Sequence, residues 1–184
     1  MANRSQTIVS EFSREWAKLH PDRQPMGWML RTDDSLPWLR LHALPDSKRY
    51  AENGSERSEI LSRANEVGNQ LLGAGEPCWM IEARTDDCTS AGELAGQFDD
   101  SDEYDTMIWR YFVQSVNWRA GAFDKVLMDL ADDAPYSVVW MARESGAIFA
   151  PYDGGFDLFP SEYLQVDTLK AQWSDWLSSH PEGL

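Results

Sequence analysis

The sequence predicts a single α+β domain over residues 1–184, with a mostly antiparallel sheet of about six or seven strands and about four helices packed on it. Two observations support this fold class. Segments with a hydrophobic period of about 3.6 residues are separated by shorter runs rich in β-branched and aromatic residues. The predicted order is helix, two strands, helix, two strands, helix, two or three strands, helix, and several strands are joined by short turns that favour antiparallel pairing. No internal repeat or linker divides the chain.

Four segments are predicted to be helical from the spacing of their apolar residues. They are residues 5–20, 55–72 and 122–131, and a last helix that begins between residues 161 and 167. In the first helix Phe12 and Trp16 fall on one apolar stripe, and Pro21 ends the helix. Ser55 is the predicted N-cap of the second helix, and Gly73 is its predicted C-terminal stop.

The strands are predicted from short apolar runs bounded by turn residues. They are residues 26–31, 38–44, 78–83, 107–118, 136–142, 147–150 and 156–159. A short polar turn separates the first two strands, so we expect them to pair as a hairpin. The strand at 136–142 is apolar on both faces, which predicts a central position in the sheet. The strand at 147–150 follows a Ser-Gly turn and should pair with it antiparallel.

Residues 85–105 form the most acidic stretch and are predicted to be a loop on composition. A loop of about 20 residues is unusual in a compact domain, so it should be functional, mobile, or contain a short element. The spacing of its acids does not fit a calcium loop of the EF-hand type. Tyr104 stands where such a loop needs glycine, and Arg110 stands where it needs glutamate.

Composition restricts the classes of function. The net charge of −15, from 31 acidic and 16 basic residues, argues against nucleic-acid binding and against anionic membrane surfaces. It permits a basic protein partner, and the default interpretation is a surface that serves solubility. Two cysteines are too few for a disulfide scaffold; Cys78 is expected to be buried and Cys88 exposed. No signal-peptide pattern or membrane span is present in the sequence, so a cytoplasmic protein is expected. The sequence does not give the oligomeric state.

The densest group of reactive side chains lies between Trp38 and Tyr50. On a strand, Leu39 and Leu41 would point into the core, so Arg40 and His42 would share the other face, toward solvent or a cleft. The residues that follow the strand's proline turn are Ser47, Lys48, Arg49 and Tyr50. Such a cluster could bind an anion, with His42 as an acid or base. The alternative is a structural network in which the basic residues pair with acids.

A second candidate segment is the turn from Tyr152 to Asp157. Gly154 and Gly155 permit positive φ or close approach of another backbone. Asp153 and Asp157 could accept hydrogen bonds from the basic cluster or hold a cation, and the alternative is a plain hairpin turn. The candidate ligand or partner site therefore comprises Arg40, His42, Ser47, Lys48, Arg49, Tyr50, Tyr152, Asp153 and Asp157.

Sequence motifs of common enzymes are absent. There is no G-x-G-x-x-G, no P-loop, no G-x-S-x-G and no H-E-x-x-H. The histidines are His20, His42 and His180, and their spacing gives no metal motif. We therefore predict no metal site and no cofactor, and no residue is assigned a catalytic role.

The candidate segments also resemble a known family. The pattern W-x-R-x-H-x-L-P-x-S-K-R-Y at residues 38–50 resembles that of a bacterial domain family of unknown function. So do A-P-Y-D-G-G-x-D at residues 150–157 and W-L-S-x-H-P-x-G-L at residues 176–184. The resemblance covers the chain from about Trp28 onward. It implies a bacterial, cytoplasmic protein, and it implies no activity.

Two hypotheses about function follow. The first is a non-enzymatic acidic interaction protein, such as an inhibitor of a basic partner like a secreted nuclease toxin. It is favoured by the net charge, by the acidic stretch at residues 85–105 and by the lack of a catalytic motif.

The second hypothesis is a small enzyme or anion-binding domain that uses Arg40, His42, Lys48 and Arg49.

Overall fold

Seven antiparallel strands in the order β1-β7-β6-β5-β2-β4-β3 form the central sheet. The computed structural model describes residues 4–85 and 90–177, without the side chains of residues 4 and 5. The strands are β1 (Leu39–His42), β2 (Pro77–Arg84), β3 (Glu93–Asp99), β4 (Ile108–Asn117), β5 (Tyr136–Ala142), β6 (Ile148–Tyr152) and β7 (Gly155–Phe159). The helices are α1 (Arg4–Leu19), α2 (Gly27–Leu30), α3 (Gly54–Leu72), α4 (Asp124–Ala131) and α5 (Tyr163–Gln172), with 3₁₀ turns at Pro45–Ser47 and Ser174–Trp176. The predicted α+β class and antiparallel sheet are confirmed, and β5 is central as expected.

Helices cover both faces of the sheet. One buried cluster joins β1 and β5 to α3, α4 and α5, with Trp118 and Trp140 at its centre. The other joins α1 and α2 to the opposite face, around Phe12 and Trp79. Period-2 alternation in β1 sends Leu39 and Leu41 into the first cluster, as the sequence predicted. The side chains of Arg40 and His42 therefore lie on the face that α1 and α2 cover.

The predicted strand at residues 26–31 is wrong. Residues Gly27–Leu30 form the single turn of α2, so no hairpin joins this segment to β1. Met26 and Leu30 are buried and four residues apart, which is helical spacing. A short apolar run fits both the helical period of about 3.6 and the strand period of 2, so tertiary contacts determine which structure forms. Strand β1 pairs instead with β7, more than a hundred residues away, with Leu39 opposite Leu158.

The acidic stretch contains a strand that composition did not predict. Strand β3 pairs with β4 at one edge of the sheet, with a register shift between Leu94 and Gly96. The loop prediction for residues 85–105 is thus wrong in part, and the expectation of a hidden short element is confirmed. After β3, the carboxylates of Asp99 and Asp102 accept hydrogen bonds from backbone N–H groups two residues on. Residues 86–89, including Cys88, lie outside the described residues.

Several local predictions can be checked against the helix ends and the core. The N-cap of α3 is Asn53, whose Oδ1 accepts from the N–H of Glu56 at 3.0 Å, so the assignment to Ser55 is wrong by two residues. Gly73 ends the helix with φ of 86°, as predicted.

Cys78 is buried, and burial raises the pKa of its thiol to about 11. Among the described residues, no helix has the length and apolar character that crossing a bilayer requires.

Candidate functional site

The pairing of β1 with β7 brings the two predicted segments together at one edge of the sheet. Arg40 lies opposite Asp157, and His42 lies opposite Gly155. Gly154, with φ of 130°, closes the turn between β6 and β7. A cavity of about 380 Å³ opens where the segments meet. It is lined by Arg31, Arg40, His42, Ser47, Arg49, Tyr152, Asp153 and Gly154.

Asp157 holds this corner of the fold together. The residue is only 3% exposed. Its carboxylate accepts from Arg40 Nε and Nη2, each at 2.9 Å, and from Trp38 Nε1 at 3.0 Å. The Arg40 guanidinium lies 4.4 Å from the centre of the Tyr152 ring. Arg40 is therefore committed to an internal ion pair, which is the structural alternative that the sequence left open.

Arg49, Tyr50 and Asp153 form a second, more exposed group. Arg49 Nε donates to Asp153 Oδ2 at 2.6 Å, and the Tyr50 hydroxyl donates to the same oxygen at 2.9 Å. That hydrogen bond raises the pKa of Tyr50. Arg49 lines the cavity, whereas Lys48 does not: its Nζ pairs with Glu56 at 2.8 Å and with Glu52 at 2.9 Å. Lys48 thus links the turn to the start of α3 and stands outside the cavity.

His42 and Ser47 lie within hydrogen-bond distance, with Ser47 Oγ 3.2 Å from His42 Nε2. Ser47 and the preceding Asp46 both have φ of 56°, the left-handed region that side chains other than glycine seldom adopt. Burial, together with the charges of Arg40 and Arg63, lowers the pKa of His42. The imidazole is therefore neutral at neutral pH, and it can accept or donate one hydrogen bond at Nε2.

Arg31, which the sequence did not suggest, is the site residue with the least internal commitment. It follows the last residue of α2 and lines the cavity. Within residues 4–85 and 90–177, its guanidinium makes no hydrogen bond, and its ion pair with Asp157 Oδ2 is 3.8 Å long. The side chain is 32% exposed. A strand at residues 26–31, as the sequence predicts, would not indicate that this arginine lines a cavity with β1.

A second cavity of about 280 Å³ adjoins the first. The two cavities share Arg31, Arg40, Tyr152 and Asp153 as lining residues. The second is also bordered by Gly27, Trp28, Leu130, Asp133, Ala134, Tyr136, Ser137, Ala150, Pro151 and Asp157. The stacked side chains of Arg40 and Tyr152 therefore lie where the two cavities meet.

The chemistry available in the first cavity is that of hydrogen bonding and charge. Arg31 and Arg49 present guanidinium donors, and the Ser47 hydroxyl can donate to a ligand in the tautomer in which His42 Nε2–H donates to Ser47 Oγ. In the described part of the chain no group of three or more metal-ligating side chains is placed to hold an ion. The arrangement suits a small anion better than a metal.

The chain matches a protein family over most of its length. A family model with the description "Domain of unknown function (DUF3885)" matches residues 26–181. The match starts just before α2 and includes every residue of the two cavities, whereas α1 lies outside it. Neither the curated proteins nor the solved structures contain a match to this chain.

Proposed function

The chain belongs to the family described as Domain of unknown function (DUF3885), a description that names no activity. We therefore propose a function from the site itself: the domain binds a small anionic ligand between Arg31 and Arg49. The observation that supports this most is the state of Arg31. Its guanidinium borders both cavities, and no protein acceptor within hydrogen-bond distance satisfies it in the described residues. Arginine matches phosphate and carboxylate oxygens with two parallel hydrogen bonds.

The other side chains of the cavity complement such a ligand. Arg49 uses Nε and Nη2 on Asp153, so its Nη1 donors remain for an anion. Ser47 lies on the turn beside His42, and its hydroxyl can donate to the anion when its oxygen accepts from His42 Nε2–H. Asp157 is already neutralised by Arg40, so it repels an anion less than an unpaired carboxylate would.

The net charge of −15 opposes this ligand only at long range. Repulsion between exposed charges is largely screened beyond about 8–10 Å at physiological salt. Within the cavity the ligand would be in contact with guanidinium groups, where charge-assisted hydrogen bonds dominate. The acidic surface should therefore lower the association rate of anions in a salt-dependent way, whereas the contacts with the guanidinium groups set the dissociation rate.

The test is a phosphate titration of isotopically labelled protein, with the amide resonances as the readout. Wild-type protein should bind inorganic phosphate with shifts at Ser47, Arg49 and Asp153. Arg31→Gln should weaken binding about ten-fold or more, since it removes hydrogen bonds between charged groups. Arg57→Gln is the matched control, because Arg57 is a surface arginine of α3 that pairs with Asp132, and neither residue lines a cavity. Equal weakening by both variants would mean that phosphate follows overall charge, and the proposed site would be wrong.

A second candidate function is the binding of a basic protein partner, for which an inhibitor of a nuclease toxin would be one example. It is favoured by the acidic turn after β3, here called the acidic tip and defined as residues 99–105. Tyr104 is 87% exposed there, between exposed carboxylates. Exposed tyrosines often anchor protein interfaces, and acidic surroundings would accelerate encounter with a basic surface.

This second candidate has its own experiment. A pull-down at low and at high salt, with wild-type protein and with a Tyr104→Ala, Asp102→Asn variant, should retain a basic protein only for wild type at low salt. The cavity variant Arg31→Gln should retain the same protein. Capture that is indifferent to salt and to the acidic tip would argue against this role.

A further inference from the structure

We propose that the anion bound between Arg31 and Arg49 is one end of a larger ligand, whose aromatic ring occupies the second cavity beside Trp28. This inference rests on the proposed anion site and names the chemical class of its ligand. The class is an aromatic ring that carries one phosphate or carboxylate group.

Helix α2 provides the main geometric reason. Trp28 and Arg31 are three residues apart, and side chains at this spacing lie on the same side of a helical turn. Both line the second cavity. Gly27 fixes the turn against β6, because a Cβ built on Gly27 would lie 2.8 Å from the Cβ of Ala150. One short, tightly packed turn thus presents, side by side, an indole ring and a guanidinium whose internal contact is the 3.8 Å ion pair with Asp157.

The size of the two cavities supports a ligand that fills both. They measure about 380 and about 280 Å³ and share four lining residues. Small-molecule sites commonly measure roughly 300–1,000 Å³. The first cavity lies near the lower end of that range and the second lies below it. The shared Arg40–Tyr152 stack gives the ligand a flat surface where the cavities meet.

The polarity of the second cavity determines which end of the ligand enters it. Trp28 is 38% exposed, and Pro151 adds an apolar wall. The hydroxyl of Tyr136 already donates to Asp129 at 3.1 Å, so it is occupied. Asp133, an exposed carboxylate at the rim, would repel a second anionic group and accept a hydrogen bond from an N–H or O–H of the ring. The anion therefore belongs beside Arg31 and the ring beside Trp28.

Affinities for inorganic phosphate, phenyl phosphate and phenylacetate test this assignment, with calorimetry or resonance shifts as the readout. For wild type, phenyl phosphate should bind about three- to ten-fold more tightly than inorganic phosphate, which is the gain expected from one aromatic contact. Trp28→Ala should abolish that gain and leave phosphate affinity within two-fold of wild type. Trp28→Phe keeps a ring and should keep most of the gain. Tyr163→Ala, an exposed aromatic outside both cavities, should change nothing.

The outcomes separate this inference from the function on which it rests. If wild type binds no phosphate in the cavity, the anion site itself is wrong. If phosphate binds there but phenyl phosphate binds no better, or if Trp28→Ala weakens both equally, the ring site is wrong and the anion site stands. Comparison of phenyl phosphate with phenylacetate then identifies the anionic group, since the tighter of the two carries the preferred one.

Discussion

Replacing Asp157 with asparagine should destabilise the protein strongly, although the two side chains have the same shape. Asparagine keeps one oxygen, which can still accept from Trp38 Nε1. It removes the negative charge that pairs with Arg40, whose side chain is only 9% exposed. It also removes the charge 3.8 Å from Arg31. The variant therefore leaves a nearly buried guanidinium without its counterion.

The magnitude follows from this burial. Breaking a buried ion pair on one side costs about 3–5 kcal/mol. Because Arg40 also borders both cavities and so has some access to water, we expect the lower end, about 3 kcal/mol. At about 2–4 °C per kcal/mol for a chain of this size, the melting temperature should fall by roughly 6–12 °C.

Urea denaturation followed by tryptophan fluorescence measures the difference, with unchanged slopes as the criterion that the same unfolding reaction is compared. Asp153→Asn is the matched control, because its partner Arg49 is largely exposed and such pairs contribute less than about 1 kcal/mol. Arg40→Met in the Asp157→Asn background should recover part of the loss, since no buried charge remains. If the two asparagine variants lose the same free energy of unfolding, Asp157 is not the centre of the site.

Three further predictions concern packing, protonation and reactivity. Gly155→Ala should lower the melting temperature far more than Gly54→Ala. A Cβ at Gly155 would lie 2.2 Å from the carbonyl oxygen of Leu41, whereas a Cβ at Gly54 would have no atom within 4 Å. Equal effects would contradict the tight pairing of β1 with β7. The pKa of His42, measured by NMR, should lie below its ordinary value of 6.5 and should rise when phosphate binds. The unfolded chain protonates His42 at a higher pH than the folded protein does. The contribution of His42 to stability should therefore be complete above pH 6.5 and decline as the pH falls toward the folded pKa. His42→Gln should remove this decline. Cys78, with a thiol pKa of about 11, should resist iodoacetamide in the native protein and react only after unfolding, as peptide mass spectrometry would show.

Local sequence signals were sufficient to predict part of the site. Period-2 alternation in β1 separated the leucines from Arg40 and His42, and the paired glycines located the turn that faces them. The convergence of the two segments in space was expected only as a hypothesis. It depends on β1 pairing with β7, a contact so distant in sequence that no local pattern specifies it.

The residues that the sequence missed share a physical reason. The sequence does not place Arg31 at the cavity, because the apolar run before it fits a helix and a strand equally. Burial of Met26 and Leu30 on one side of the turn favours the helix. The sequence also does not indicate which acidic residue pairs with each basic residue, since 31 acidic residues offer many partners. Lys48 thus turned out to pair with Glu56 rather than to line the cavity. Strand β3 is not predicted from the sequence, because an edge strand with polar, exposed positions lacks the apolar alternation that marks a strand.

The resonance of the Arg31 Nε–H group during a phosphate titration tests the central claim most directly. If Arg31 holds the anion, its Nε–H signal should shift in a saturable way, with Arg49 moving alongside it. The Arg57 signal, from an arginine engaged with Asp132 on the protein surface, should stay in place. An Arg31 signal that does not move while phosphate saturates other residues would contradict the account.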